Sequence, residues 1–186
     1  MNFYIKLFTL LLAANTATAQ TKLFTKTGSI SFKSKTAMEN IEAVNNKVLS
    51  VWEISSGNIE FSLLIKGFEF DRALMQEHFN ENYMESDKYP KAVFKGIVEN
   101  SKTILLTGSN NYAVNVNGTL TMHGVTKQIT VPTTIKVKNG EASAVAIFSV
   151  SPQDYNIKIP GVVADKINKK INIVINVSPY KILTTK

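Results

Sequence analysis

The sequence predicts an all-β protein, an antiparallel β-barrel carrying one helix at about residues 71–86. Three observations predict it. Apolar and polar residues alternate along most of the chain, the period of a strand with one buried face. Turn signals recur roughly every eight to twelve residues, the spacing of a sandwich or barrel. One segment, Asp71 to Ser86, drops the alternation and repeats at four-residue spacing instead.

Taken in order, the chain opens on a processing signal. Lys6 is a basic start, Leu7 to Ala14 an apolar run, and Ala17-Thr18-Ala19 a small-residue cleavage site before Gln20. The run is too short to span a membrane as a helix. No Cys follows it to take a lipid anchor. The expectation is a signal peptide over 1–19, a single domain over 20–186, and a periplasmic or secreted protein. Without cysteines, such a domain must be held by packing and its hydrogen-bond ladder.

Ile30 and Phe32 alternate in a first strand, and Val48, Ser50, Trp52 and Ile54 in a second. Ser55-Ser56-Gly57-Asn58 turns the chain into a third, with Ile59, Phe61, Leu63 and Ile65. In the helical segment Met75, Phe79 and Tyr83 form one stripe with Leu74 beside it, and Asp71 stands as the N-cap. Pro90 blocks continuation of that helix. Ala92, Phe94, Gly96 and Val98 make the next strand.

Residues 112–132 are the most informative stretch. Tyr112, Val114, Val116, Gly118, Leu120 and Met122 fall on one side of a strand, and Ile129, Val131, Thr133, Ile135 and Val137 on one side of its partner. His123-Gly124-Val125-Thr126 supplies the turn, with Gly124 suited to type II′ geometry and His123 expected at the surface. Asn139-Gly140 is a second hairpin turn, leading to Ala142, Ala144, Ala146 and Phe148. A short strand at Ile157 and Ile159 and a last one through Ile171, Ile173, Ile175 and Val177 complete the set.

Several motifs in this order resemble a known family. Gly118-Thr119-Leu120-Thr121-Met122-His123-Gly124-Val125-Thr126-Lys127 is similar to the Gly-x-Leu-Thr-x-x-Gly-Val-Thr-Lys hairpin of the YceI-like polyisoprenoid-binding proteins. Lys88-Tyr89-Pro90-Lys91-Ala92-Val93-Phe94 resembles that family's Lys-Tyr-Pro-x-Ala-x-Phe segment, and Asp154-Tyr155-Asn156-Ile157 its late Asp-Phe-Asn/Gly-Ile segment. The resemblance runs from about Gly67 to the end. The family's early His-containing segment has no counterpart over residues 21–60. The resemblance implies a lipocalin-like barrel that encloses an isoprenoid or similar amphiphile.

The residues alone leave a filled core and a cavity equally open. Gly96, Gly118, Ala142, Ala144 and Ala146 leave room on the inner faces, and facing Phe and Trp side chains are able to take it. The resemblance favours the cavity. Alternation then nominates Ile30, Phe32, Trp52, Phe61, Leu63, Phe94, Val114, Val116, Leu120, Phe148, Ile171 and Ile173 as its lining. Arg72, His78 and Lys91 are nominated for a polar head group, His78-Phe79 standing where the family has a His-hydrophobic pair.

Little in the chain suggests catalysis. There is no Gly-x-Ser-x-Gly elbow, phosphate loop or dinucleotide fingerprint. His78 and Glu81 share a helix face, but no histidine pair has metal-ligand spacing. The expectation is no enzyme, no metal and no cofactor beyond a bound lipid. The net charge of +7 is spread over lysines such as Lys33/Lys35, Lys88/Lys91/Lys95 and Lys166/Lys169/Lys170. These suit a solvated surface with guarded strand edges, or attraction to anionic head groups. No basic motif interleaved with aromatics points to nucleic acid. The expected partner is a small amphiphilic lipid, bound by a monomer or homodimer. The alternatives are an envelope interaction module with a filled barrel and, third, an enzyme acting on a lipid or quinone.

Overall fold

The computed structural model describes residues 21–177 and 179–183. The expected signal peptide, 1–19, lies outside the described residues. Among the described residues ten strands form: β1 (Lys22–Lys35), β2 (Asn40–Glu53), β3 (Asn58–Leu64), β4 (Glu69–Phe70), β5 (Lys91–Val98), β6 (Ser109–Met122), β7 (Val125–Lys138), β8 (Glu141–Val150), β9 (Ile171–Val177) and β10 (Lys181–Ile182). Eight of them close an antiparallel barrel in the order β1-β9-β8-β7-β6-β5-β3-β2, with β2 returning to pair β1. Closure satisfies the edges that an open sheet would expose.

Two devices let the long strands curve. The β1–β2 register shifts between Thr25 and Gly28 and again between Gly28 and Ile30, bulges that bend the pair. Between β3 and β4 the chain kinks through Ile65–Gly67, and β4 continues along the same edge of β2. Buried Asn45 fills that break, donating from Nδ2 to the Leu64 carbonyl at 2.9 Å and accepting from the Lys47 amide.

Both hairpin turns have two residues with positive φ: His123 and Gly124, and Asn139 and Gly140. This is type I′ geometry, not the type II′ expected at His123, because a non-glycine residue takes the first left-handed position. The expected strand at Ile157 and Ile159 does not form. Pro152–Tyr155 is a 3₁₀ turn, and the Ile157 amide donates back to the Pro152 carbonyl.

The helix is shorter than expected. The α-helical part, α1, is Ala73–His78, followed by a π-helical turn over Phe79–Tyr83. The N-cap position is Arg72, not Asp71, and no side chain caps it. The Met75/Phe79/Tyr83 stripe faces the barrel as the spacing predicted.

Candidate functional site: an apolar cavity with a charged rim

Inside the barrel is a cavity of about 550 Å³, within the usual range for small-molecule sites. Its closed end rests on a packed floor that includes Leu23, Ile104, Val137 and Val177. Polar groups there are paired among themselves. The Tyr180 and Ser50 hydroxyls are 2.9 Å apart, and Trp52 Nε1 donates to Ser101 Oγ, which donates to the Ile54 carbonyl. The floor therefore offers a ligand apolar surface and no free hydrogen-bonding group among these.

Eleven of the twelve nominated apolar residues line the cavity: Ile30, Phe32, Trp52, Phe61, Leu63, Phe94, Val116, Leu120, Phe148, Ile171 and Ile173. Val114 does not. It shares the inner face but sits lower, packed against the floor cluster. Alternation reports the side of a strand, whereas depth along the barrel axis depends on strand tilt and stagger. Ala144 and Ala146 line the cavity, and Ala142 belongs to the floor. The glycines leave no empty space. Gly96 and Gly118 pair across β5 and β6, and a Cβ on Gly96 would lie 2.7 Å from the Phe94 ring. The ring takes the room they leave, and the strands approach closely there.

Toward the other end four phenylalanines gather. Phe32 meets Phe68, Phe70 and Phe79 at ring-centroid distances of 5.2, 5.7 and 5.3 Å. All four line the cavity. Phe68 and Phe70 were not among the nominated residues. Their two-residue spacing across Glu69 was the available signal, but a strand as short as β4 carries little periodicity.

The cavity reaches solvent where its lining residues are exposed, at Arg72, Leu74, His78 and Lys166. Arg72 and His78 thus stand at the mouth. Lys91 does not line the cavity, and Lys166 does. The Arg72 guanidinium donates to Glu39 Oε1 at 2.6 Å, tying α1 to the turn between β1 and β2. Asn168 binds the other side of that turn: its amide donates to Ser34 Oγ, and its Nδ2 to the Lys35 carbonyl. The charged lining groups, Glu39, Arg72 and Lys166, therefore share one rim.

His123 is the largest departure from expectation. It is buried, at 8% exposure, not at the surface. Its Nδ1–H donates to the Tyr155 carbonyl at 2.9 Å, and its Nε2 lies 2.8 Å from the Glu85 carboxylate. The Tyr89 ring packs edge-on against it at 4.7 Å and covers Gly124, where a Cβ would collide with it. His123 thus joins three segments at the mouth end and does not itself line the cavity. Among the described residues no three His, Asp or Glu side chains converge as a metal site would need. None of their helices is long and apolar enough to cross a membrane.

Comparison with known proteins agrees with the barrel. A family model described as YceI-like domain matches residues 12–178. A polyisoprenoid binding domain from Saccharophagus degradans, implicated in plant cell wall breakdown, superposes with a TM-score of 0.77 at 12% identity, over 88% of this chain and 99% of that one. Burkholderia cenocepacia BcnA gives a TM-score of 0.68 at 15% identity, over 83% and 96% of the two chains. A Campylobacter jejuni YCEI protein gives 0.53 at 14% identity, over 99% and 92%. At these identities the likeness is one of fold. The sequence matches no curated protein.

Proposed function

The chain belongs to the YceI-like domain family, and from that premise we propose that it is a lipid-binding protein of the cell envelope. It encloses the tail of an isoprenoid or similar amphiphile and holds the head group at the rim. The observation that carries this reading is the division of the cavity into an apolar interior and a charged mouth. A branched apolar tail needs no directional contacts. It gains on the order of 0.8 kcal/mol for each methylene-sized group removed from water. The floor presents Trp52, Ile135 and Tyr180, whose ring hydroxyl is already paired, so the tail enters first. Arg72 keeps guanidinium donors beyond the one given to Glu39 and, with Lys166, suits an acceptor-rich or anionic head group. Export to the periplasm or medium is part of the same reading, supported by the leader pattern at the start of the sequence.

Two substitutions test the site. Val116 and Leu120 both line the cavity on β6. Val116→Trp and Leu120→Trp each remove cavity volume while keeping the wall apolar, at a folding cost of ~1–3 kcal/mol. After thermal melting confirms that they fold, both are expected to weaken saturable binding of a fluorescent isoprenoid analogue. If both fold and bind as the parent does, the tail does not lie where this reading puts it.

A further inference from the structure

Around the cavity mouth three separate segments each expose a large aliphatic side chain. Met38, in the turn between β1 and β2, is 65% exposed; Leu74, in α1, is 61% exposed; and Val162, in the 3₁₀ turn Gly161–Lys166, is 91% exposed. Single exposed aliphatics are ordinary on a protein surface. These three are placed around one opening, and the segments that carry them are tied together. The Arg72–Glu39 ion pair links α1 to the β1–β2 turn, and the Asn168 hydrogen bonds to Ser34 and Lys35 link that turn to the chain after Lys166. Each is next to a residue that lines the cavity or lines it itself: Glu39, Leu74 and Val163.

The charge around them is asymmetric. Residues 158–170 hold four lysines, Lys158, Lys166, Lys169 and Lys170, against Asp165 alone. On the α1 side Arg72 is paired with Glu39, and the other charged groups, Asp71, Glu77 and Glu81, are acidic and do not line the cavity. Aliphatic tips beside exposed lysines have the composition of a surface that lies in the boundary of a bilayer containing anionic lipid.

We propose that this rim is a membrane-docking surface through which the cavity loads and unloads. Met38, Leu74 and Val162 enter the boundary between head groups and acyl chains, and the lysines of 158–170 meet lipid phosphates. A tail then passes between bilayer and barrel without crossing water, which is the costly step for an apolar chain. This rests on the carrier reading above and adds where and from what the cargo is exchanged.

The test is flotation of the protein with vesicles of phosphatidylcholine alone and of phosphatidylcholine mixed with phosphatidylglycerol. The parent is expected to float with the mixed vesicles at low salt and to be released as salt rises. Two double variants, M38D with V162D and K169E with K170E, leave the cavity lining intact. Each is expected to lose at least tenfold in vesicle affinity while keeping the parent's melting temperature and its binding of a fluorescent isoprenoid analogue added from solution. A parent that ignores anionic vesicles, or variants that float as it does, would overturn the docking surface. Vesicle association by a parent that takes up no amphiphile would instead sink the carrier reading and leave the docking surface standing.

Discussion

His123 Nε2 lies 2.8 Å from the Glu85 carboxylate, although 38 residues separate them in the chain. With Nδ1 on the Tyr155 carbonyl, the ring fastens the β6–β7 turn to the segment behind α1 and to the Pro152–Tyr155 turn. The mouth end of the barrel is thereby closed on one side by three chain segments that the sheet does not otherwise join.

Replacing His123 by Asn is expected to destabilise the fold by about 1–3 kcal/mol, because the Tyr155 carbonyl loses its donor. Asn tolerates the left-handed backbone at this position, where φ is 52°, so the loss reports on the ring and not on strain. Glu85→Gln keeps a polar partner for Nε2 and is expected to cost less. Urea unfolding of the three proteins measures both. An Asn variant as stable as the parent would mean that the ring does not brace the rim.

Tyr155 has the opposite character. It is buried, at 2% exposure, and its hydroxyl has no partner among the described residues. Tyr155→Phe removes an unpaired polar atom and is expected to be neutral or to stabilise by up to about 1 kcal/mol. Thermal and urea midpoints check this. A loss of more than about 1 kcal/mol would show that the hydroxyl is satisfied in solution, for instance by a trapped water.

Alkaline pH is expected to weaken the fold. Burial pushes the Tyr180 hydroxyl well above its ordinary 10.0, against a smaller opposing effect of the Ser50 hydrogen bond. Tyr155 is also raised, first by burial and then by the Asp154 charge. Below pH 10 both are neutral folded or unfolded, and their contribution is fully present. As pH rises above the unfolded value, the unfolded chain releases protons that the native protein still holds. Stability then falls by up to about 1.4 kcal/mol per pH unit for a tyrosine that the native protein holds well above its ordinary value, as it does Tyr180. Tyr180→Phe should flatten this decline in urea titrations between about pH 9 and pH 11. An equal slope in parent and variant would contradict the assignment.

Cavity size predicts a limit on tail length. A methylene is comparable in size to water, so 550 Å³ bounds the enclosed tail at roughly some tens of carbon positions. Affinity should rise with each added carbon up to about that length and then level off, since further carbons remain at the mouth. Calorimetry with a homologous series of single-chain amphiphiles reads the plateau. Affinity that keeps climbing well beyond it would mean that the barrel opens further than this structure shows.

Much of this was legible in the chain because strand periodicity is a local signal. Alternation puts Trp52, Phe61 and Phe94 each on one side of its strand without saying which side faces in, and the Met75/Phe79/Tyr83 spacing marks a helical stripe; the structure turns all six toward the cavity. What alternation lacks is depth, which is why Val114 on the correct face belongs to the floor. What it also lacks is the meeting of distant segments. His123 reads as an exposed turn residue until Glu85 and the Tyr155 carbonyl are seen to close over it. Lys166 was one lysine in a basic cluster, and only the path of residues 161–168 past the end of β1 brings it to the mouth in place of Lys91.

Native mass spectrometry of protein purified gently from envelope extracts, with its ligand extracted and identified, tests the central claim most directly. The account predicts one apolar-tailed amphiphile per barrel, displaced by a saturating isoprenoid analogue and lost in the Val116→Trp and Leu120→Trp variants. Protein that is repeatedly ligand-free and shows no saturable binding of isoprenoids, quinones or fatty acids would contradict it.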